Sequence, residues 1–419
     1  MIKTSDLKMK LATAEYDGIF AGIYKKEDVD SQKERYIRIA ESFEQLFGTD
    51  REVGVFSAPG RTEVGGNHTD HNHGKVLAAS VNLDAVAVAS KNDENIVRVK
   101  SEGYKMDVVD LADMSVMPDE RGRSASLVRG VAAGFRNRGY NIGGFDAATA
   151  SDVLSGSGLS SSAAFEVLLG TILNHLYNDG KVSAVEIAQI AQFAENEYFG
   201  KPCGLMDQMA CSVGSFVQID FKDPSVPVIN KVAFDFASCN HALCIVDTGG
   251  NHADLTDEYA AVRCEMEAVA AKFGKGVLRD VDFDDFRKNI PVIRESAGDR
   301  AVLRAMHFFE ENKRVDLQAE ALASNDFEAF KALIVDSGYS SYMYNQNIAG
   351  FLTENGADFR LEFCEHILGN KCLNRTCEAA AVNSPRTLAL ENAVADCKSN
   401  ADGLVGGCFA GIYVLVIHI

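Results

Sequence analysis

The segment LSGSGLSSSAAFEV, residues 154–167, combines two glycines and five serines with the beginning of a run that favours helix. Gly156 and Gly158 let the backbone turn tightly and approach a ligand closely. A helix that follows the serines would bring unpaired N–H groups and the positive end of its dipole to one point, which suits a phosphate. The segment therefore favours a phosphate-binding loop. The alternative is a serine-rich helix cap, because serine is common at that position.

Two common nucleotide-binding loops do not fit this segment. The Walker A loop needs a Gly-Lys-Ser/Thr run, which does not follow Gly158. The dinucleotide fingerprint GxGxxG fails because Ser161 stands where its third glycine is required. A phosphate loop here would belong to another class.

Strand and helix patterns succeed each other irregularly on both sides of the loop, which favours an α+β fold over a doubly wound sheet. The run VGVFSAPGR predicts a strand that enters a turn at Pro59–Gly60. Ser183 and Glu186 have the spacing of a capping box. Further strands are predicted in residues 74–90, 95–101, 144–151, 214–221 and 241–249, and helices in residues 1–50, 124–140, 163–178, 183–200 and 253–333.

Three carboxylates, Glu195, Glu197 and Asp207, follow the loop in the run AENEYFGKPCGLMDQMACSVG, residues 194–214. Asp207 lies where Pro202 and Gly204 predict a turn. There it could accept a proton from a hydroxyl group or cap the next helix, and capping is the commoner role. Glu195 with a serine of the loop would suffice for Mg²⁺, because that ion needs few protein oxygens.

The run GRTEVGGNHTDHNHG, residues 60–74, is rich in histidine. His68, Asp70, His71 and His73 are residue types that bind zinc or iron, so a metal site is one interpretation. A ligand-binding turn is another, and His71 and His73 could also be solvated turn residues. The spacing of the histidines does not decide between these interpretations.

Composition excludes several classes of partner. The chain has 419 residues with 41 Lys and Arg against 60 Asp and Glu, a net charge of −19. Such a charge disfavours nucleic acid and anionic membrane surfaces. The N-terminus has no signal-peptide pattern, so a cytoplasmic enzyme or binding protein is expected. The ten cysteines form no CxxC pair and are expected to be mostly buried, reduced thiols.

Taken together, five stretches resemble the GHMP kinase superfamily and, within it, the galactokinases. They occur in the family's order between about residues 45 and 411. The stretches are APGRTEVGGNHTDHNHGKVLA (58–78), GSGLSSSAAFEV (156–167), GKPCGLMDQ (200–208), VDTGGNHADLTDEYAAVR (246–263) and GGCFAG (406–411).

The resemblance implies the GHMP kinase fold, an α+β arrangement. Its N-terminal domain would be of the ribosomal-S5-domain-2-like type, its C-terminal domain ferredoxin-like, and the active site would lie in the cleft between them. We expect the domains to be residues 1–235, with the sugar motif and phosphate loop, and residues 236–419. Because the chain ends eight residues after Gly411, we expect the second domain to be shortened, with its last apolar strand leaving part of a sheet face or edge uncovered.

The resemblance also implies an ATP-dependent sugar 1-kinase that converts α-D-galactose to galactose 1-phosphate. Asp207 would face the anomeric hydroxyl with Arg61 as its partner, and Ser162 and Glu195 would hold Mg²⁺. The implied sugar-binding residues are Asn67, His68, Asp70, Gly204 and Tyr259. The implied ATP-binding residues are Gly156, Ser157, Gly158, Leu159, Ser160, Ser161 and Ser162. The expected partners are sugar and ATP, without nucleic acid or membrane, and the expected state is a monomer or weak homo-oligomer.

The sequence departs from the galactokinase pattern at the sugar end. Asn67 replaces the usual Glu, and an amide is a weaker acceptor than a carboxylate. Glu63, Gly65 and His71 replace Asn, Ile and Tyr. Two alternatives follow: a GHMP kinase for another sugar, such as an N-acetylhexosamine or a uronic acid, or a galactokinase-like sensor with weak catalysis.

Overall fold

The computed structural model describes residues 1–153, 158–234, 239, 241–247, 256–345, 405–409 and 412–418 of the chain, with backbone alone for 241–247, 256–259, 405–409 and 412–418. The chain forms two compact units. The first contains residues 1–61 and 80–214, and the second contains residues 62–79 and 215–419. The chain thus passes between the units three times. The division into domains 1–235 and 236–419 stays a prediction.

The first unit packs helices on a mixed sheet. Its helices are α1 (Thr4–Leu11), α2 (Asp17–Phe20), α3 (Val29–Phe47), α4 (Ser124–Asn137), α5 (Ser161–Tyr177), α6 (Ala184–Phe193) and α7 (Met206–Val213). Its strands are β1 (Ile2–Lys3), β2 (Glu52–Gly65), β3 (Lys75–Lys91), β4 (Ile96–Ser101), β5 (Met106–Asp110) and β6 (Phe145–Ser151). Strand β2 belongs to this unit only up to residue 61, and β3 only from residue 80. The strand order is β1-β2-β3-β6-β4-β5. Strand β4 runs parallel to β6, whereas β1–β2, β3–β6 and β4–β5 are antiparallel pairs, which confirms the α+β prediction.

The second unit contains mainly helices in its central part. The beginning of β3 pairs with β7 (Phe216–Asp220), which pairs with β8 (Val228–Val232). The helices are α8 (Thr256–Ala271), α9 (Phe283–Ala297), α10 (Asp299–Ala323) and α11 (Phe327–Ser340). A separate antiparallel sheet has the order β10-β11-β9, made of Val405–Phe409, Ile412–His418 and His241–Asp247.

Local sequence signals explain several element boundaries. Helix α3 ends at Gly48, whose φ of 96° suits a glycine. At the start of α6, Ser183 and Glu186 form the predicted capping box. The helices predicted in residues 124–140, 163–178 and 183–200 and within 253–333 are confirmed.

The predicted turn at Pro59–Gly60 is wrong, because β2 continues through both residues to Gly65. A Cβ atom at Gly60 would lie 2.9 Å from the carbonyl oxygen of Leu159. Glycine at this position therefore serves close packing between the strand and residues 158–160, where Arg61 N–H donates to the Leu159 carbonyl at 3.1 Å. The Pro-Gly pair indicates a turn by its local preference, but tertiary contact decides the outcome.

Each unit buries its own apolar core. In the first unit, α3 packs Phe43 with Val53 and Val88 of the sheet, and all three are fully buried. In the second unit, one cluster includes Leu77, Leu322 and Phe330, and another forms around α8, α9 and α10. Among the described residues, no helix is long and apolar enough to cross a membrane.

Two expectations need correction. The last strand, β11, does not form an uncovered sheet edge, because it lies between β10 and β9 with both edges paired, whereas the alternative of an uncovered sheet face stays a prediction. The four cysteines whose side chains the structure describes, Cys203, Cys211, Cys239 and Cys264, are free thiols, but among these four only Cys211 is buried and Cys264 is exposed. Cys264 is on the surface because α8 presents it there, which a count of apolar neighbours in sequence does not reveal.

Candidate active site

An arginine–carboxylate pair lies at the centre of the site in the first unit. Arg61 Nε donates to Asp207 Oδ1 at 2.8 Å, and Arg61 Nη2 donates to Asp207 Oδ2 at 2.6 Å. Arg61 Nη1 donates to the Gly158 carbonyl at 2.6 Å, which ties the pair to the glycine-serine loop. The side chain of Asp207 keeps 28% of its surface exposed.

The local structure around Asp207 excludes the helix-capping alternative. Helix α7 begins at Met206 after Leu205, so Asp207 lies within its first turn instead of at the capping position. Burial disfavours the charged form of Asp207. The charge of Arg61 and hydrogen bonds from Arg61 and Ser160 outweigh that effect and hold the pKa of Asp207 below its usual range. Asp207 is therefore an ionised acceptor at neutral pH.

Ser160 directly precedes α5, which begins at Ser161, and its side chain does not cap the helix. Ser160 has a left-handed φ of 57°, and its hydroxyl donates to Asp207 Oδ2. Among the described residues, no side chain caps the first turn of α5. The N–H groups of that turn suit an anionic ligand, because they carry the positive end of the helix dipole. Gly156 and Ser157 lie outside the described residues, whereas Gly158, Leu159, Ser161 and Ser162 are described.

Ser162 and Glu195 form a second pair of oxygen donors. Ser162 Oγ lies 3.0 Å from Glu195 Oε1, and Lys201 Nζ lies 3.4 Å from the same oxygen. Glu195 belongs to a π-helical turn, Ala194–Phe199, that follows α6, and such turns often occur at functional sites. A carboxylate and a hydroxyl are hard oxygen donors, so this pair fits Mg²⁺ when nucleotide phosphates complete the coordination.

The sequence analysis missed two buried polar residues beside Glu195. The amide nitrogen of Gln208 donates to Glu195 Oε2 at 2.6 Å and to Glu166 Oε2 at 3.2 Å. Burial, followed by the neighbouring Glu195 carboxylate, raises the pKa of Glu166 well above its usual range. Their positions offered a signal: Gln208 follows Asp207 directly, and Glu166 lies one helical turn after Ser162.

In the second unit, the histidine-rich run forms a tight turn between β2 and β3. Gly66 has a φ of 92°, and a Cβ there would lie 2.4 Å from the Lys75 carbonyl oxygen, so only glycine fits. The hydroxyl of Thr69 bonds to the carbonyls of Gly66 and Lys75, and Gly74 N–H donates to the Thr69 carbonyl. Residues Asp70–Asn72 form a 3₁₀ turn against which α8 packs.

The predicted sugar-binding residues of this turn lie close together in the chain but differ in exposure. Asn67 is 1% exposed, and its amide donates to Ser341 Oγ at 2.6 Å. His68 and Asp70 are half-buried. Burial, with smaller effects of His307 and Arg304, lowers the pKa of His68 to about 3. Burial and the nearby His68 lower the pKa of His71 to about 3 as well.

The other two predicted sugar contacts lie elsewhere. Gly204 belongs to the segment that leads into α7 in the first unit. Tyr259 is part of α8 in the second unit, and its side chain lies outside the described residues. Within the described ranges, no group of three or more His, Cys, Asp or Glu side chains is placed to hold a metal ion, so the zinc or iron interpretation of the histidine turn has no support there.

Sequence reasoning also missed the residues that support the histidine turn. His307 Nε2 bonds to the Asn67 carbonyl at 2.8 Å, and its Nδ1 bonds to Ser340 Oγ at 2.8 Å. Glu311 accepts from Gly66 N–H at 3.2 Å and from Ser337 Oγ at 2.5 Å. The contacts of His307 with Asn67 and of Glu311 with Gly66 span 240 and 245 positions of sequence, so no local pattern reveals them.

Comparisons with known proteins identify the family to which this fold belongs. Residues 126–215 match the family model of the GHMP kinases N-terminal domain, and residues 41–91 match the galactokinase galactose-binding signature. Among solved structures, the Lactococcus lactis galactokinase complexed with galactose has a TM-score of 0.70 at 22% identity, covering 90% of this chain and 89% of that one. The Methanococcus jannaschii mevalonate kinase has a TM-score of 0.52 at 13% identity, covering 88% and 91%. The fold is that of the GHMP kinases.

A relative with higher sequence identity shows which family of GHMP kinases this chain belongs to. The galactokinase of Streptomyces coelicolor is 35% identical over 308 residues, which cover 72% of this chain and 77% of that protein. The chain belongs to the galactokinase family.

Proposed function

We propose that this protein transfers the γ-phosphoryl group of ATP to the C1 hydroxyl of α-D-galactose, with Mg²⁺ as the cofactor. The observation that carries the proposal is the Arg61–Asp207 pair, which is bonded to the glycine-serine loop through Gly158 and Ser160. The 35% identity to a galactokinase and the match to the galactose-binding signature support galactose as the acceptor.

The chemistry needs positioning and charge stabilisation. The C1 oxygen attacks the γ-phosphorus, the bond from that phosphorus to the bridging oxygen of ADP breaks, and the hydroxyl proton passes to Asp207 or to solvent. Asp207 is suited to accept this hydrogen bond because it is ionised and partly exposed. Arg61 orients Asp207 and offsets negative charge near the phosphoryl group.

The loop and α5 are assigned to ATP. The uncapped N–H groups at the start of α5 would bind phosphate oxygens. Ser162 and Glu195 would hold Mg²⁺, which neutralises phosphate charge when bound. Asn67, His68, Asp70, Gly204 and Tyr259 are assigned to the sugar by the family resemblance. A cytoplasmic location and a monomeric or weakly associating state stay predictions from the sequence.

The test is ADP release from Mg·ATP with galactose, glucose, N-acetylgalactosamine, galacturonate or no sugar. Galactose should stimulate release most strongly. Stimulation by another sugar in its place would contradict the galactose assignment. In that case Asn67 would be the first residue to substitute, because its amide donates a hydrogen bond to Ser341 Oγ. ATP binding without stimulation by any sugar would favour a sensor.

A variant tests the chemical assignment. Asp207→Asn should lower kcat by about 10²–10⁴-fold, the range typical for loss of a general base. The matched control is Asp146→Asn, because Asp146 is a buried carboxylate of the same unit that pairs with Arg51 and Arg98. The control should lose stability and keep kcat. A kcat of Asp207→Asn equal to that of the control would contradict the role of Asp207.

A further inference from the structure

Gln208 links two buried carboxyl groups through one amide nitrogen. We propose that Gln208 is a positioning residue for Glu195, and that Glu166 is the buried acceptor that holds Gln208 in place. The inference rests on the proposed function, because it concerns the carboxylate assigned to Mg²⁺. It adds Gln208 and Glu166 to the residues on which metal binding depends.

The hydrogen-bond geometry carries the first step. An amide nitrogen has two hydrogens, so Gln208 can donate to Glu195 Oε2 at 2.6 Å and to Glu166 Oε2 at 3.2 Å simultaneously. With Oε2 occupied in this way, Oε1 of Glu195 is the oxygen that faces Ser162 Oγ at 3.0 Å. The amide therefore selects which oxygen is presented at the proposed metal site.

Burial carries the second step. Gln208 and Glu166 are fully buried, and Glu195 is 2% exposed. Water does not compete for these hydrogen bonds, and a buried polar group that loses its partner is costly. The Glu195 side chain is thus restricted to one orientation. Hydrogen bonds to a ligating side chain set its orientation and affinity in metal sites generally.

The placement of these residues on the helices carries the third step. Glu166 lies one turn after Ser162 on α5, and Gln208 lies beside Asp207 on α7. Helix α5 thus carries the proposed metal ligand Ser162, and α7 carries the proposed base Asp207. Through Glu166 and Gln208 the same two helices also hold the side chain of Glu195, which belongs to the π-helical turn. A shift of Gln208 would disturb the metal ligand without removing any group that touches substrate.

The experiment measures binding of Mn²⁺, a paramagnetic substitute for Mg²⁺, to the full-length protein in the presence of ADP. Electron paramagnetic resonance measures the concentration of free Mn²⁺. Gln208→Met keeps the length of the side chain and removes the donor, and it should weaken Mn²⁺ binding by about 10-fold, the lower end of the range for such supporting residues. Glu166→Met should weaken it in the same direction, whereas Glu166→Gln retains an acceptor and should bind Mn²⁺ as the wild type does.

The control variant is Gln318→Met. Gln318 is also a fully buried glutamine, but it lies on α10 of the second unit, and its amide has no hydrogen-bond partner among the described residues. It should leave Mn²⁺ affinity unchanged. In kinetic measurements, Gln208→Met should need a higher Mg²⁺ concentration for activity while its KM for galactose stays unchanged. General destabilisation of the protein would not change the first quantity alone.

The outcomes separate this inference from the proposed function. Wild-type Mn²⁺ affinity in folded Gln208→Met and Glu166→Met, with Glu195→Gln weakened, would overturn the inference and leave the kinase assignment intact. Loss of affinity in Glu166→Gln equal to that in Glu166→Met would overturn the acceptor role of Glu166. If the wild type phosphorylates no sugar but the Mn²⁺ affinities follow the expected order, the proposed function fails and the inference stands. Absence of Mn²⁺ binding in the wild type would overturn the inference.

Discussion

The guanidinium of Arg61 holds both carboxylate oxygens of Asp207, with Nε–Oδ1 at 2.8 Å and Nη2–Oδ2 at 2.6 Å. The two residues are 146 positions apart in sequence, and the pair joins β2 to the first turn of α7. A bidentate pair fixes orientation as well as charge. Asp207 is thereby oriented and ionised before a substrate binds.

This pair makes the activity depend on pH in a defined direction. The pKa of Asp207 lies below its usual range, so the ionised form, and the activity that needs it, should persist until the pH falls to that lowered pKa. Arg61→Gln removes the opposing charge and leaves the burial. The acidic limb of the kcat profile should therefore move to higher pH, in addition to a loss of kcat. The measurement is kcat against pH at saturating substrates.

Arg129→Gln is the matched control for that profile. Arg129 forms the same bidentate geometry with Glu120 in the same unit, at 2.8 and 2.7 Å. Its loss should lower the melting temperature without moving the acidic limb. An unmoved limb in Arg61→Gln would show that Asp207 does not set it.

Gly60→Ala should disturb the phosphate loop through one added methyl group. The new Cβ would lie 2.9 Å from the Leu159 carbonyl oxygen and 3.1 Å from Val153 Cγ1. Because backbone must shift to relieve that contact, we expect a loss of about 1–3 kcal/mol in stability, as in other overpacked sites. The KM for ATP should rise. Gly18→Ala is the control, since its Cβ would enter open space, and it should leave both quantities unchanged or raise stability slightly.

Removal of residues 412–419 should lower the melting temperature. Strand β11 pairs with β9 from Ile412–Asp247 to His418–His241 and with β10 from Ile412–Phe409 to Val416–Val405, so its loss leaves two strands without their shared partner. Unpaired backbone groups are costly when they stay buried. Removal of residues 1–3 is the comparison, because β1 is a two-residue strand paired with β2, and it should cost less. A melting temperature that holds after the C-terminal deletion would contradict the central role of β11.

The two histidines with a pKa of about 3 should make stability fall in acid. An unfolded histidine has a pKa of about 6.5. Below that value His68 and His71 bind protons in the unfolded chain but stay neutral in the folded chain. The free energy of unfolding therefore keeps their full contribution at pH 7 and loses it as the pH falls toward 3. The maximum slope is about 1.4 kcal/mol per pH unit for each histidine.

Urea unfolding at pH 7 and pH 5 measures this effect. His68→Asn should lose less stability between the two pH values than the wild type does. His175→Asn replaces an exposed histidine on α5 and should behave as the wild type. Equal pH dependence in His68→Asn and His175→Asn would show that His68 titrates normally in the folded state.

Much of the fold could be predicted from local patterns. The capping box at Ser183 was visible in the sequence because caps depend on neighbours within a few residues. The turn predicted at Pro59–Gly60 was wrong for the complementary reason, because the contact of Gly60 with Leu159 overrides the local preference for a turn. The position of β11 between two strands could not be predicted, because strand order is a property of long-range pairing.

The sequence by itself determined which chemical groups are available: a glycine-serine loop before a helix, a histidine-rich turn, and the carboxylates Glu195 and Asp207. These features follow from residue type and short spacing. Only the tertiary structure decided that Asp207 lies inside the first turn of α7 instead of capping it, and that Gln208 joins Glu195 to Glu166. Those choices depend on burial, which removes water as a competing partner and leaves each polar group with the neighbours that the fold supplies.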